Sequence, residues 1–116
     1  LGCAAANASL DLLEKFPERY LDFESRHFPH LQKIVKNSKV ECPRITGTIS
    51  AFNVKVNGKK GYLSSVGKHM KASALKVGVF IRPLGDVIYL MPPLCITDEE
   101  LEKCYYGIQK GLNSLE

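Results

Sequence analysis

The chain has 116 residues, 45% of them hydrophobic and 24% charged, with a formal charge of +4 at pH 7. That length and balance suit one soluble domain with a small core and exclude two domains or a disordered chain, and no run of about 18 apolar residues is present to span a membrane. The basic residues are scattered, the densest group being Lys55, Lys59 and Lys60 with Lys68, Lys71 and Lys76 beyond, which reads as solvated surface and not as a nucleic-acid footprint.

Residues Leu1 to Lys15 read as a helix: alanines and other small residues lead into Leu10, Leu12 and Leu13, and alanine has the highest helix propensity. The pattern begins abruptly on Leu1, which reads as the continuation of a segment upstream. The start has no basic n-region, so it is not a secretion signal. Pro17 opens a second helical stretch running to about Lys36, with Tyr20, Phe23, Leu31, Ile34 and Val35 as its apolar positions. Pro29 is expected to kink or divide it, and Asn37-Ser38 marks its exit.

Val40 to Val56 reads as one strand, with Ile45, Gly47, Ile49, Ala51 and Asn53 on one face and Thr46, Thr48, Ser50 and Phe52 on the other. Asn57-Gly58 is a hairpin signal because both centres of a type I′ turn need positive φ, and Lys59 to Leu63 would be the return strand. Ser64 or Ser65 would cap a helix from Val66 to Lys76, with Val66, Met70, Ala74 and Leu75 on its apolar side and Gly78 as its stop. Val79 to Pro83 reads as a short strand, Leu84-Gly85-Asp86 as a turn and Val87 to Met91 as a returning strand ended by Pro92-Pro93. Thr97 and Glu100 form a capping box for a last helix whose apolar positions are Leu101, Cys104, Tyr105, Ile108, Leu112 and Leu115. From residue 40 onward the order is strand, strand, helix, strand, strand, helix: an α+β layer with helices on one face of a mostly antiparallel sheet.

No two of Cys3, Cys42, Cys95 and Cys104 are spaced as C-x-x-C, so they read as reduced thiols of a cytoplasmic protein and not as metal ligands; Cys3 and Cys104 in helical stretches read as small buried hydrophobes. His27 and His30 flank Pro29 without a third ligand and read as surface residues, and His69 has no evident partner. Tyr89 and Met91 alternate with Ile88 and Leu90 as ordinary two-faced packing, and one ring of Tyr105-Tyr106 is expected to pack while the other points outward. Gly47 and Gly85 are assigned to backbone geometry.

The position with chemistry in it is Arg82, set between apolar strand residues and Pro83. A guanidinium in such a place seeks a carboxylate, which it can grip bidentately. From spacing alone a local ion pair with Asp86 is preferred over a ligand site.

The segment Gly78 to Pro93, with Ile-Arg-Pro-Leu-Gly-Asp-Val-Ile-Tyr-Leu-Met-Pro-Pro at its centre, resembles the small-domain motif of fold-type I, class III aminotransferases, and is most similar to their biotin-pathway branch. Leu1 to Leu10 is similar to a helix of that family, and Arg44 to Phe52 to its first small-domain strand, so the resemblance covers nearly the whole chain; Val54 to Leu63 is the least constrained part. The resemblance implies a linking helix over residues 1–16 and a C-terminal small domain over residues 17–116. It implies a homodimeric parent enzyme that uses pyridoxal 5′-phosphate to move an amino group from S-adenosylmethionine to 8-amino-7-oxononanoate, with no nucleic-acid or membrane partner. It assigns Arg82 to the carboxylate of that oxo acid. The family's Schiff-base lysine and cofactor contacts lie upstream of the match, so no catalytic, cofactor-binding or metal-binding residue is assigned here, and the piece alone is expected to be inactive. Two alternatives stand beside it: another class III enzyme acting on an ω-amino acid, and a free-standing basic nucleic-acid- or protein-binding module. The second lacks the Lys/Arg-Gly-Phe/Tyr pattern that an RNA-binding sheet would carry.

Overall fold

The structure is a computed structural model and describes residues 1–58 and 61–115. Helix α1 (Gly2–Lys15) forms as its composition dictates, and none of its residues is buried. The second helical stretch is divided, but not at Pro29. The break falls at Asp22, between the single turn α2 (Glu18–Leu21) and α3 (Phe23–Ile34), and Pro29 lies inside α3. Both Pro29 and Ser25, whose carbonyl the proline leaves without a donor, are exposed, so water can satisfy that carbonyl and the helix continues. Asn37 then ends the segment by accepting the Lys39 N–H on its side-chain oxygen at 3.0 Å.

The expected single strand over Val40 to Val56 is in fact a hairpin. Strand β1 (Val40–Thr46) turns at Gly47-Thr48 and returns as β2 (Ile49–Val54), pairing Thr46 with Ile49 and Val40 with Val54. Gly47 makes the reversal possible, with φ +56, where a Cβ would be strained. A bulge between Glu41 and Arg44, with Cys42 at φ 50, kinks β1. The louder signal, Asn57-Gly58, is only a bend. Of its expected return strand, Lys59 and Lys60 lie outside the described residues and Gly61–Leu63 is a 3₁₀ turn.

Helix α4 (Val66–Leu75) buries Gly67, Met70 and Ala74, while Leu75 faces solvent and not the core as expected. Ser65 occupies the cap position without a side-chain bond, and the Ser64 hydroxyl accepts the Val66 N–H at 3.3 Å. Gly78 stops the helix with φ +78. Val79 to Pro83 is extended but joins no ladder, so the sheet has three strands and not four. Its alternation is nonetheless real: Val79 and Ile81 are buried, and Phe80 and Arg82 point outward. Strand β3 (Val87–Leu90) completes an antiparallel sheet in the order β1-β2-β3. Helix α5 (Asp98–Asn113) starts at the expected capping box, Thr97 accepting from the Glu100 N–H at 3.2 Å and Glu100 from the Thr97 N–H at 2.9 Å.

One face of the sheet makes the core. Phe52 and Val54 of β2 and Ile88 and Leu90 of β3 pack with Leu31 and Ile34 of α3, Met70 and Ala74 of α4, and Leu101, Ile108 and Leu112 of α5. Among the described residues the α+β class is as expected, and no helix is long and apolar enough to cross a membrane. All four cysteines are free, but Cys3 is exposed and not buried; Cys104 is half-buried.

His27 is not a surface residue. It is fully buried, because it falls on the apolar stripe of α3 with Phe23, Leu31 and Ile34. Its Nε2–H donates to the Thr48 carbonyl at 3.1 Å, which leaves Nδ1 to accept the Tyr105 hydroxyl at 2.7 Å. Tyr105 keeps that proton, since burial pushes its pKa up to about 12. His30, half-buried, stacks on the Tyr105 ring with centroids 4.8 Å apart, while Tyr106 lies outside as expected.

Burial, with the Arg26 charge beside it, holds His27 below the ordinary histidine value of 6.5. Burial and Lys33 lower His30 as well. The unfolded chain therefore takes up protons at a higher pH than the folded one, and folding stability drops as pH falls below about 6.5. A lower thermal midpoint at about pH 5 than at about pH 7 is expected, with a smaller difference in His27→Gln, which keeps a donor for Thr48 but cannot titrate. Equal slopes in the two proteins would show that His27 is not the group responsible.

Candidate functional site

Arg82 is carried by the outward face of the extended segment before β3. The turn behind it is gripped from several sides. Leu84 and Val87 exchange backbone hydrogen bonds at 2.9 and 3.0 Å, and the Asp86 carbonyl accepts the Val54 N–H of β2 at 2.8 Å. Gly85 has φ +63 and lies so close to the 3₁₀ turn that a Cβ there would sit 2.0 Å from the Gly61 carbonyl oxygen. Helix α4 presses on the same turn through Gly67, where a Cβ would meet the Gly85 oxygen at 2.5 Å and Pro83 at 2.9 Å. Glycine at 67 and 85 is thus required by contact, a signal invisible without the fold.

The ion pair expected from spacing is not formed. The Asp86 carboxylate is buried and accepts the Gly61 N–H at 2.9 Å, while Arg82 is exposed. Among the described residues Arg82 has neither a salt bridge nor a side-chain hydrogen bond; the ion pair present there joins Arg26 to Asp98 at 2.9 Å. The guanidinium instead lines a cleft of about 370 Å³ with Phe80, Tyr89, Met91, Pro92 and Cys104. Tyr89 and Met91, read from sequence as plain packing, thus form walls of this cleft; Phe80 and Cys104 are wall residues that sequence reasoning missed, and only the outward phase of the segment carrying Phe80 pointed to it. Lys71 sits 4.6 Å from the centre of the Phe80 ring. The Cys104 thiol is raised by burial and by Glu100, so it stays protonated and is no nucleophile. One cation within aromatic and aliphatic walls can hold an elongated apolar molecule by a single terminal carboxylate.

The remaining sequence candidates do not join it. His27 and His30 belong to the Tyr105 cluster, and His69 finds Ser114 Oγ at 2.9 Å. No group of three potential metal ligands occurs among the described residues.

The same fold is found in transaminases. An amine transaminase from an uncultivated Pseudomonas species, in its PLP-bound form, superposes with a TM-score of 0.81 over 96% of this chain and 27% of its own, at 24% identity. The family model for class-III aminotransferases matches residues 1–112, and the chain belongs to that family. The adenosylmethionine-8-amino-7-oxononanoate aminotransferase of Synechococcus elongatus is 40% identical over 99% of the chain, and that of Helicobacter pylori 36% identical over 99%. The chain spans 27% of the length of each of these curated relatives.

The described residues do not themselves fit a pyridoxal phosphate site. Such a site needs a sheltered lysine amine to form the Schiff base. Every described lysine is exposed except the half-buried Lys39, whose amine is held by the Leu115 carbonyl, and none lines the Arg82 cleft.

Proposed function

We propose that the chain is the C-terminal part of a pyridoxal-phosphate-dependent aminotransferase of the biotin-pathway type, with residues 1–16 as a linking helix and 17–116 as the small domain. The observation that carries this reading is the Arg82 guanidinium, which has no acid paired with it among the described residues and stands in an apolar cleft. The printed names of the curated relatives supply the substrate class. In this reading Arg82 grips the carboxylate of 8-amino-7-oxononanoate while Phe80, Tyr89 and Met91 flank its methylene chain. Holding the far end of a flexible acid limits where its keto group can lie, which converts binding into orientation. The cofactor, its lysine and most of the homodimer contacts belong to the rest of the parent protein, and the cofactor supplies the electron sink for amino transfer when bound there.

The test is the full-length protein. Amino transfer from S-adenosylmethionine to 8-amino-7-oxononanoate is expected, with no turnover by residues 1–116 alone. Transfer only from an ω-amino acid donor would replace this reading with that of another class III enzyme.

A further inference from the structure

We propose that Asp86 is a positioning residue for Arg82, acting through its hydrogen bond to Gly61; the proposal rests on the assignment of Arg82 to a substrate carboxylate. A buried carboxylate costs several kcal/mol of desolvation unless its bonds are made good. A turn residue with no task would face water, where aspartate is common. Asp86 is instead 5% exposed and reaches a backbone donor 25 residues away in sequence.

The geometry shows what that bond does. The main chain of Asp86 is tied to β2 through Val54, and its side chain is tied to the 3₁₀ turn through Gly61. The two ties join one residue to two different elements, and the Gly61 carbonyl can lie against Gly85 beside it only because that residue has no Cβ. The turn over residues 84–86 is therefore a fixed mount, and Arg82 projects from the unpaired segment that enters it. Bidentate capture of a carboxylate depends on the plane of the guanidinium, so loss of the mount spreads the orientations of Arg82 without removing its charge. Asp86 itself touches no substrate in this account.

The experiment is steady-state kinetics on the full-length holoenzyme. Asp86→Ala is expected to raise KM for 8-amino-7-oxononanoate about tenfold while KM for S-adenosylmethionine and kcat move less than about twofold. Asp86→Asn, which keeps an oxygen acceptor for the Gly61 N–H, is expected to stay within about twofold of wild type. An oxo-acid KM unchanged in Asp86→Ala, or raised in Asp86→Asn by about tenfold, would overturn the proposal, the second outcome because charge and not the hydrogen bond would then be what matters. If Asp86→Ala does not fold, Asp86→Ser, whose hydroxyl ends nearer the main chain and falls short of the Gly61 N–H, takes its place, with the same rise of about tenfold in oxo-acid KM expected and an unchanged KM overturning the proposal. Arg82→Ala assayed alongside separates the two claims: an unchanged oxo-acid KM there would remove the Arg82 assignment itself.

Discussion

Replacing Arg82 with alanine in the full-length enzyme is expected to raise KM for the oxo acid by about 30-fold or more, leaving the half-reaction with the amino donor little changed. Removing one partner of a hydrogen-bonded charge pair costs about 2 to 5 kcal/mol once the pair is desolvated, and each 1.4 kcal/mol is about tenfold. Arg82 is exposed in the chain alone, where screening would reduce the effect, so the figure applies to the proposed site, in which the rest of the enzyme and the substrate would cover the cleft. The asymmetry between substrates is the diagnostic part. Only a substrate whose far end is a carboxylate loses an anchor, and an anchor formed equally in ground and transition states changes KM more than kcat. Arg82→Lys keeps the charge but not the planar fork, and should fall between wild type and alanine. An oxo-acid KM equal to wild type in Arg82→Ala would remove the carboxylate-binding role.

Much of this arrangement was legible in the sequence wherever the deciding interactions were local. The capping box at Thr97 and Glu100 and the sustained helical period after it placed α5 to within a few residues, because both ends of each contact lie within one turn. The hairpin of β1 and β2 escaped because Thr46-Gly47-Thr48 continues the strand alternation around it, so its reversal rests on one positive φ that β-branched neighbours conceal. Asn57-Gly58 drew attention instead, though among the described residues no strand returns directly from it and Gly61–Leu63 is a 3₁₀ turn. His27 was misplaced for the opposite reason. Its spacing with Phe23, Leu31 and Ile34 did mark the buried stripe, but the partners that make a buried imidazole tolerable, Thr48 and Tyr105, lie on other elements. The site shows the same division. Arg82 stood out by its neighbours in the chain, whereas the diversion of Asp86 to Gly61, which leaves the guanidinium without its nearest acid, depends on a contact that no local pattern encodes.

Phe52→Ala is expected to cost about 3 to 5 kcal/mol of folding stability, the range for emptying a buried aromatic site. Phe52 lies on the central strand of the sheet, 2% exposed, opposite Ile88 of β3 and facing the helices. Truncation removes the ring from the layer shared by β2, α4 and α5, and neighbours fixed by strand pairing on both sides have little freedom to close the gap. Domains of this size retain only about 5 to 15 kcal/mol in total, so the variant should lose a large share of its margin, with a clear fall in its urea midpoint. The strand that would loosen first is the one that accepts β3 on one edge and donates the Val54 N–H to Asp86, so disorder should spread to the Arg82 turn. Tyr62→Ala provides the contrast: its ring is 83% exposed, and its loss should change stability by less than about 0.5 kcal/mol. Equal urea midpoints for the two variants would mean that Phe52 does not occupy the core as described. A drop confined to Phe52→Ala, accompanied by faster amide exchange at Asp86 and Val87, would tie the sheet core to the stiffness of the turn that presents Arg82.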